Sequence, residues 1–258
     1  MKNRFIHSVV PALLLSMSVG QIYAFTLFSS QIAETLGKSQ QSVQFAFSLG
    51  IFFLGMGAAF FGKIVERNIR LATIIGSILF LGGMYTSYCA VINDSLPMLY
   101  LGYGLMLGLG TGIIYISPVK TMMMWYPKAK AVAAAVPIIG FGLGSSLCTL
   151  VHDELVKNHP VSEMFLPLTF FYLPLMILGT ILLKKPSDGV AEESYTIKNK
   201  FTYGKLFHDR FFWQVWLFML INISAGLCLI PLAKQMMTSV GYSASTISSV
   251  LIAMGLMN

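Results

Sequence analysis

One stretch of this 258-residue sequence gathers the parts of an ion-pair latch: Gly62-Lys63-Ile64-Val65-Glu66-Arg67-Asn68-Ile69-Arg70. It sets a carboxylate, Glu66, beside the guanidiniums of Arg67 and Arg70, behind a helix-closing glycine, Gly62. Such groups join through charge-assisted hydrogen bonds and part when the elements carrying them move. Elsewhere the groups suited to holding a solute are neutral. Gln21, Tyr23, Gln44, Tyr115 and Asn222 offer amide and hydroxyl donors that could line a cavity and hold a polar solute without adding charge. Lys120 is the nearest cation to such a cavity, and its alternative is to lay its stem along apolar surface with the ammonium in water. Cys89, Cys148 and Cys228 lack metal-ligand spacing and read as small packing residues, so no metal and no cofactor is expected. His152, Asp153, Glu154 and His159 cluster without a convergent partner, which favours a hydrated loop over the centre of a membrane-embedded enzyme.

The composition says what must position these groups. Hydrophobic residues make up 56% of the chain and charged residues 10%, against about 25% charged in soluble domains. A water-facing surface cannot be covered with so little charge, so soluble enzymes are excluded, as are disulfide scaffolds and disordered tails. All charged residues fall outside eight apolar runs: 11–30, 43–62, 71–92, 97–119, 131–151, 164–183, 211–233 and 243–257. About 20 helical residues cross a hydrocarbon core of roughly 30 Å, so the first seven runs are long enough to span and the eighth is short. Helix is the expected form, because backbone groups in lipid must bond within their own segment.

The net charge of +7 is a topology signal. Fourteen of the 17 basic residues sit at the amino terminus and in the even connectors, and only Lys38, Lys157 and Lys234 lie on the opposite side. The positive-inside rule therefore places the amino terminus in the cytoplasm of a cell (plasma or inner) membrane. Acidic headgroups of the lipid bilayer are the expected partner of these charges, and nucleic acid is not. Residues 1–183 read as a six-helix bundle, 184–210 as a cytoplasmic linker, and 211–258 as the start of a second bundle. Gly104, Gly108 and Gly112, and again Gly140 and Gly144, lie four apart, leaving bare helix faces for close packing, static or sliding.

The segment from Gly62 to Arg70 resembles the G-x-x-x-D-R-x-G-R signature of the major facilitator superfamily, with Glu66 in the Asp position and Ile69 in the Gly position. Three further segments are similar to the oxalate/formate antiporter branch, related to monocarboxylate carriers. They are Tyr23-Ala24-Phe25-Thr26-Leu27-Phe28, then Trp125-Tyr126-Pro127-Lys128-Ala129-Lys130 with Gly140-Phe141-Gly142-Leu143-Gly144, and Phe212-Trp213 with Asn222-Ile223-Ser224-Ala225-Gly226-Leu227. The resemblance implies an all-α integral membrane fold: a six-helix bundle of 3+3 inverted repeats, plus one complete and one partial helix of a second bundle. It implies alternating access, a small carboxylate substrate such as oxalate, formate or a lactate-like monoacid, and a proton or counter-anion as coupling partner. It also implies that the anion-coordinating arginine and lysine lie on spans eight and eleven, beyond Asn258. On that reading the 258 residues are a cut chain, without transport activity alone or needing a partner half. Another major facilitator substrate is the remaining alternative.

Overall fold

The computed structural model describes residues 2–155, 160, 163–186 and 207–257, and those residues hold helices and turns with no strand. Helix α1 (Lys2–Val19) tightens into a 3-10 segment (Gly20–Leu27) and ends in the short α2 (Ser29–Thr35). Then come α3 (Gln40–Phe60), the short α4 (Gly62–Arg67) and α5 (Ile69–Ile92). A first turn, α6 (Leu96–Leu99), widens into a π-helical segment (Tyr100–Leu107) before α7 (Gly108–Trp125). The remaining helices are α8 (Lys130–Leu155), α9 (Phe165–Leu182), α10 (Arg210–Ser239) and α11 (Ala244–Met257).

Among the described residues, six stretches are long and apolar enough to cross a membrane: Arg4–Phe25, Gln40–Phe60, Ile69–Ile92, Leu96–Trp125, Pro127–His152 and Phe165–Leu182. They match the first six apolar runs. The 30-residue α10 covers the seventh run and the 14-residue α11 the eighth. The expected linker, 184–210, lies largely outside the described residues. Phe52, Phe60, Ile78 and Phe170 are all more than half exposed, a pattern that suits contact with lipid tails and would be a liability in water.

The packing repeats with the expected symmetry. Helix α1 lies against α8 and α9; α7, its counterpart in the second triplet, lies against α3 and α5. Helix α1 also meets α7, and α5 meets α9. Exchanging spans one to three for spans four to six returns the same set of pairs. Span four runs opposite to span one, so the repeat is inverted.

Missing side chains make this packing possible. Gly104, Gly108 and Gly112 press on α3: a Cβ at Gly112 would fall 2.1 Å from the Leu54 carbonyl oxygen, and one at Gly108 2.6 Å from that of Gly50. Gly102 and Gly110 press on α5, 2.7 Å from the Ser87 nitrogen and 2.5 Å from that of Phe80. The π segment and α7 together are thus a wedge bare on two faces. At the symmetry-related contact, a Cβ at Gly144 would fall 2.0 Å from the Met17 carbonyl oxygen, and one at Gly20 2.0 Å from that of Phe141. The two irregular segments face each other. The buried Tyr103 of the π segment donates its hydroxyl to the Ile22 carbonyl of the 3-10 segment at 2.9 Å, its ring 4.3 Å from that of Phe25.

A methyl group at Gly112 must push α3 and α7 apart. Gly112→Ala is expected to cost about 2 kcal/mol through overpacking and to lower the melting midpoint in detergent. Gly55→Ala serves as control, because Gly55 has nothing within 4 Å of its added Cβ and its midpoint should hold or rise. Equal midpoints for the two variants would count against the wedge.

Candidate functional site

Two constellations stand out, one at the end of the bundle that carries the basic connectors and one along its wall. At the basic end, α3 gives way to α4, and the chain breaks at Asn68 (φ −144°, ψ 91°). The Asn68 side chain accepts the N–H of Leu71 at 3.0 Å and so caps α5. Ile69 opens α5 and is buried. Among the described residues a positive φ occurs only at Gly37, Asp94 and Gly241. No glycine is required where the superfamily signature has one, because the break is an extended residue rather than a left-handed turn.

The carboxylate of Glu66 finds its partner on another helix. Lys120 of α7 donates to Glu66 Oε1 at 2.6 Å and to the Gly62 carbonyl at 3.2 Å. The expected pairing of Glu66 with Arg67 and Arg70 is therefore corrected. Arg67 follows Glu66 on a helix and points about 100° around its axis, and Arg70 lies beyond the break. Lys120 joins this latch instead of a central cavity. Lys185 adds a second cross-link, donating to the carbonyl of Glu66 and, at 3.3 Å, to that of Arg67. Those are end-of-helix carbonyls that lack intrahelical partners. Trp125 Nε1 donates to the Lys184 carbonyl at 2.8 Å, so the exit from α9 is held to the same corner.

Along the wall, Tyr23 and Tyr115 both present their rings to Phe141. Centroids lie 5.2 and 5.5 Å apart with interplanar angles of 69° and 84°, the edge-to-face geometry aromatic pairs prefer. Phe47 of α3 meets Tyr23 at 6.4 Å. Both tyrosines are partly exposed, whereas Phe141 is buried. The 3-10 segment, α3, α7 and α8 thus converge through rings, and the two phenols supply hydroxyl donors on a surface without charge. Phe141 was legible only as part of the Gly-Phe-Gly-x-Gly run. What places it is the glycine contact, since Gly20 accommodates the Phe141 carbonyl and draws α8 onto the 3-10 segment that carries Tyr23.

The other sequence candidates sit elsewhere. Gln21 is fully buried within the bundle. Gln44 lies one helical turn from Phe47 and opens on a groove of about 460 Å³ with Gln40, Gln41 and Gln235. Asn222 is exposed and donates back to the Phe218 carbonyl of its own helix at 2.8 Å.

Comparison with known proteins agrees with this architecture. The sequence profile described as Major Facilitator Superfamily matches residues 9–258. An uncharacterized MFS-type transporter, YhjX, of Escherichia coli (strain K12) is 25% identical over 244 residues, covering 91% of this chain and 58% of that protein. The oxalate:formate antiporter of Oxalobacter formigenes is 26% identical over 249 residues, covering 95% of this chain and 58% of that protein. Monocarboxylate transporter 12-B of Danio rerio is 29% identical over 117 residues, 45% of this chain and 24% of that protein. The chain therefore spans somewhat over half the length of the first two relatives.

The latch predicts energetic coupling between α4 and α7. In a double-mutant cycle of Glu66→Gln and Lys120→Met, unfolding in detergent should return a coupling of about 1 kcal/mol, fading in high salt. Strictly additive effects would mean that the two residues do not interact in solution.

Proposed function

We propose that this chain, which belongs to the Major Facilitator Superfamily, serves secondary transport of small organic anions by alternating access. The observation that carries the reading is the convergence of Tyr23 and Tyr115 on Phe141, which sets two hydroxyl donors on a charge-free wall shared by the 3-10 segment, α7 and α8. An anion leaving water must be compensated by donors or by cations, and phenols supply part of that compensation without the cost of burying charge. The oxalate:formate antiporter among the relatives supports small carboxylates as the substrate class. A counter-anion or a proton would serve as the coupling partner.

The two ends of the bundle suit a rocking motion. At the basic end, the Glu66 to Lys120 contact and the Lys185 contacts are surface ion pairs and carbonyl bonds, which water can replace at small cost. At the other end, α10 meets the first bundle at the 3-10 segment, and α11 packs along α8. The distribution of the basic residues supports an orientation with the basic connectors facing the cytoplasm.

Two measurements check this reading. Liposomes carrying the full reading frame that contains these residues should take up labelled oxalate, formate or lactate by exchange. Tyr23→Phe and Tyr115→Phe should each raise KM about tenfold, the usual cost of one hydrogen bond to a charged group. Absence of any anion-dependent uptake would sink the proposal. For orientation, Lys38→Cys and Lys128→Cys occupy exposed sites at opposite ends of the bundle. In a background without native cysteines, an impermeant maleimide applied to intact cells should label Lys38→Cys, and Lys128→Cys only after permeabilisation. The reverse pattern would invert the topology.

A further inference from the structure

At the basic end, next to the latch, the break between α4 and α5 and the exit from α9 enclose a pocket of about 240 Å³. Arg67, Arg70, Lys184 and Lys185 line it with exposed side chains, and Asn68 with the buried Ile69 and Leu183 completes the wall. Among the described residues no carboxylate lines this pocket. The neighbouring Glu66 is engaged by the Lys120 ammonium at 2.6 Å. Four like charges around so small a space repel one another, and an anion among them reverses the sign of the interaction.

The chain is pinned where it brings these cations together. Lys184 donates its backbone N–H to the His7 carbonyl at 3.2 Å, and its own carbonyl accepts from Trp125 Nε1 at 2.8 Å. The Lys185 ammonium donates to the carbonyls of Glu66 and Arg67, and carbonyls accept without neutralising its charge. Ile69 and Arg70 are the first residues of the 24-residue α5, so they add N–H groups without intrahelical partners to the same wall. The pocket also has a defined depth. The apolar stretch of α5 begins at Ile69 and that of α9 ends at Leu182, so the cations stand at the boundary between hydrocarbon and water. Further into the membrane, Ser77 of α5 meets Thr180 of α9 at 3.1 Å. The two helices run in opposite directions, so Ile78 and Ile181, each one residue after that contact, fall on the same side of the seam. Both are exposed, as are Ile74 and Ile177 one turn away.

We propose that this pocket is a binding site for an anionic glycerophospholipid of the leaflet on the basic side. The phosphate diester sits among Arg67, Arg70, Lys184 and Lys185, and an acyl chain lies on the seam of Ile74, Ile78, Ile177 and Ile181. A lipid headgroup and free phosphate share one chemistry, a tetrahedral oxyanion that guanidiniums meet through paired N–H donors. The exposed seam beneath the cations selects the lipid, because free phosphate gains nothing from apolar surface. Basic connectors attract acidic headgroups in general. Here four of those charges, held by α4, α5 and the exit from α9, make one site of fixed composition. The assignment is independent of the transported solute.

The test is native mass spectrometry of the purified chain in neutral detergent, titrated with phosphatidylglycerol. One phosphatidylglycerol should bind about tenfold more tightly than phosphatidylcholine, and equal affinities would overturn the assignment. Arg67→Gln with Arg70→Gln is expected to weaken phosphatidylglycerol binding about tenfold or more, from the loss of two cations at a membrane surface. Should that pair elute as misfolded material, Lys184→Gln carries the same reading with a several-fold loss. Lys128→Gln with Lys130→Gln removes the same charge from exposed positions at the same end, outside the pocket. That variant should bind within about twofold of wild type. A loss equal to that of the arginine pair would make overall charge the attractant and overturn the site. Inorganic phosphate in large excess should leave the lipid bound. Displacement as effective as that by competing phosphatidylglycerol would assign the pocket to free phosphate and overturn the lipid.

Discussion

Everything in this bundle depends on how closely two helix backbones approach where water cannot drive them together. In lipid, apolar side chains gain nothing by leaving their surroundings, so helices associate through van der Waals contact and through polar groups that find partners. The glycines of the π segment and α7 meet that constraint twice over. With Gly104, Gly108 and Gly112 on one face and Gly102 and Gly110 on another, the helix slides between α3 and α5 until its backbone touches theirs. The inverted counterpart, Gly20 and Gly144 between α1 and α8, repeats the device with different residues. The two-fold repeat of the packing follows from these contacts.

Close approach then dictates what the side chains do. Drawing α8 onto the 3-10 segment lays Phe141 against Tyr23, and seating α7 beside them brings Tyr115 to the same ring. The irregular segments are part of this fit: a 3-10 stretch as long as Gly20–Leu27 is unusual, and it is braced by Tyr103, whose own segment is π-helical. At the basic end, the α3 and α7 contact carries Lys120 to within 2.6 Å of Glu66. The wall and the latch therefore share α7, so a shift of that wedge would be felt at both.

Much of this was legible in one dimension. The apolar runs marked every long helix, the glycine spacing marked the bare faces, and the charge asymmetry divided one end from the other. The partners of polar side chains were a different matter. Glu66 has two arginines within four residues, yet its ammonium comes from a position 54 residues away, because helical geometry turns Arg67 aside and the break at Asn68 carries Arg70 into the next helix. Gln21 and Tyr23 are two residues apart, but one is fully buried and the other partly exposed. Hydropathy is nearly uniform around these helices and gives no sign of which side of the 3-10 segment faces inward.

By itself, then, the sequence determined the class of protein: a chain with this little charge and these runs must be helical, must lie in a bilayer, and must gather its basic groups at one end. Those outcomes follow from quantities that sum along the chain, namely apolar length, backbone hydrogen bonding and charge count. The tertiary structure alone decided which residues meet. It joined Lys120 to Glu66, Phe141 to both tyrosines, and Ser77 to Thr180. Each of those meetings depends on the rotation of one helix against another to within a fraction of a turn, and that rotation is set by backbone contacts at glycines, which carry no side chain to announce their partner.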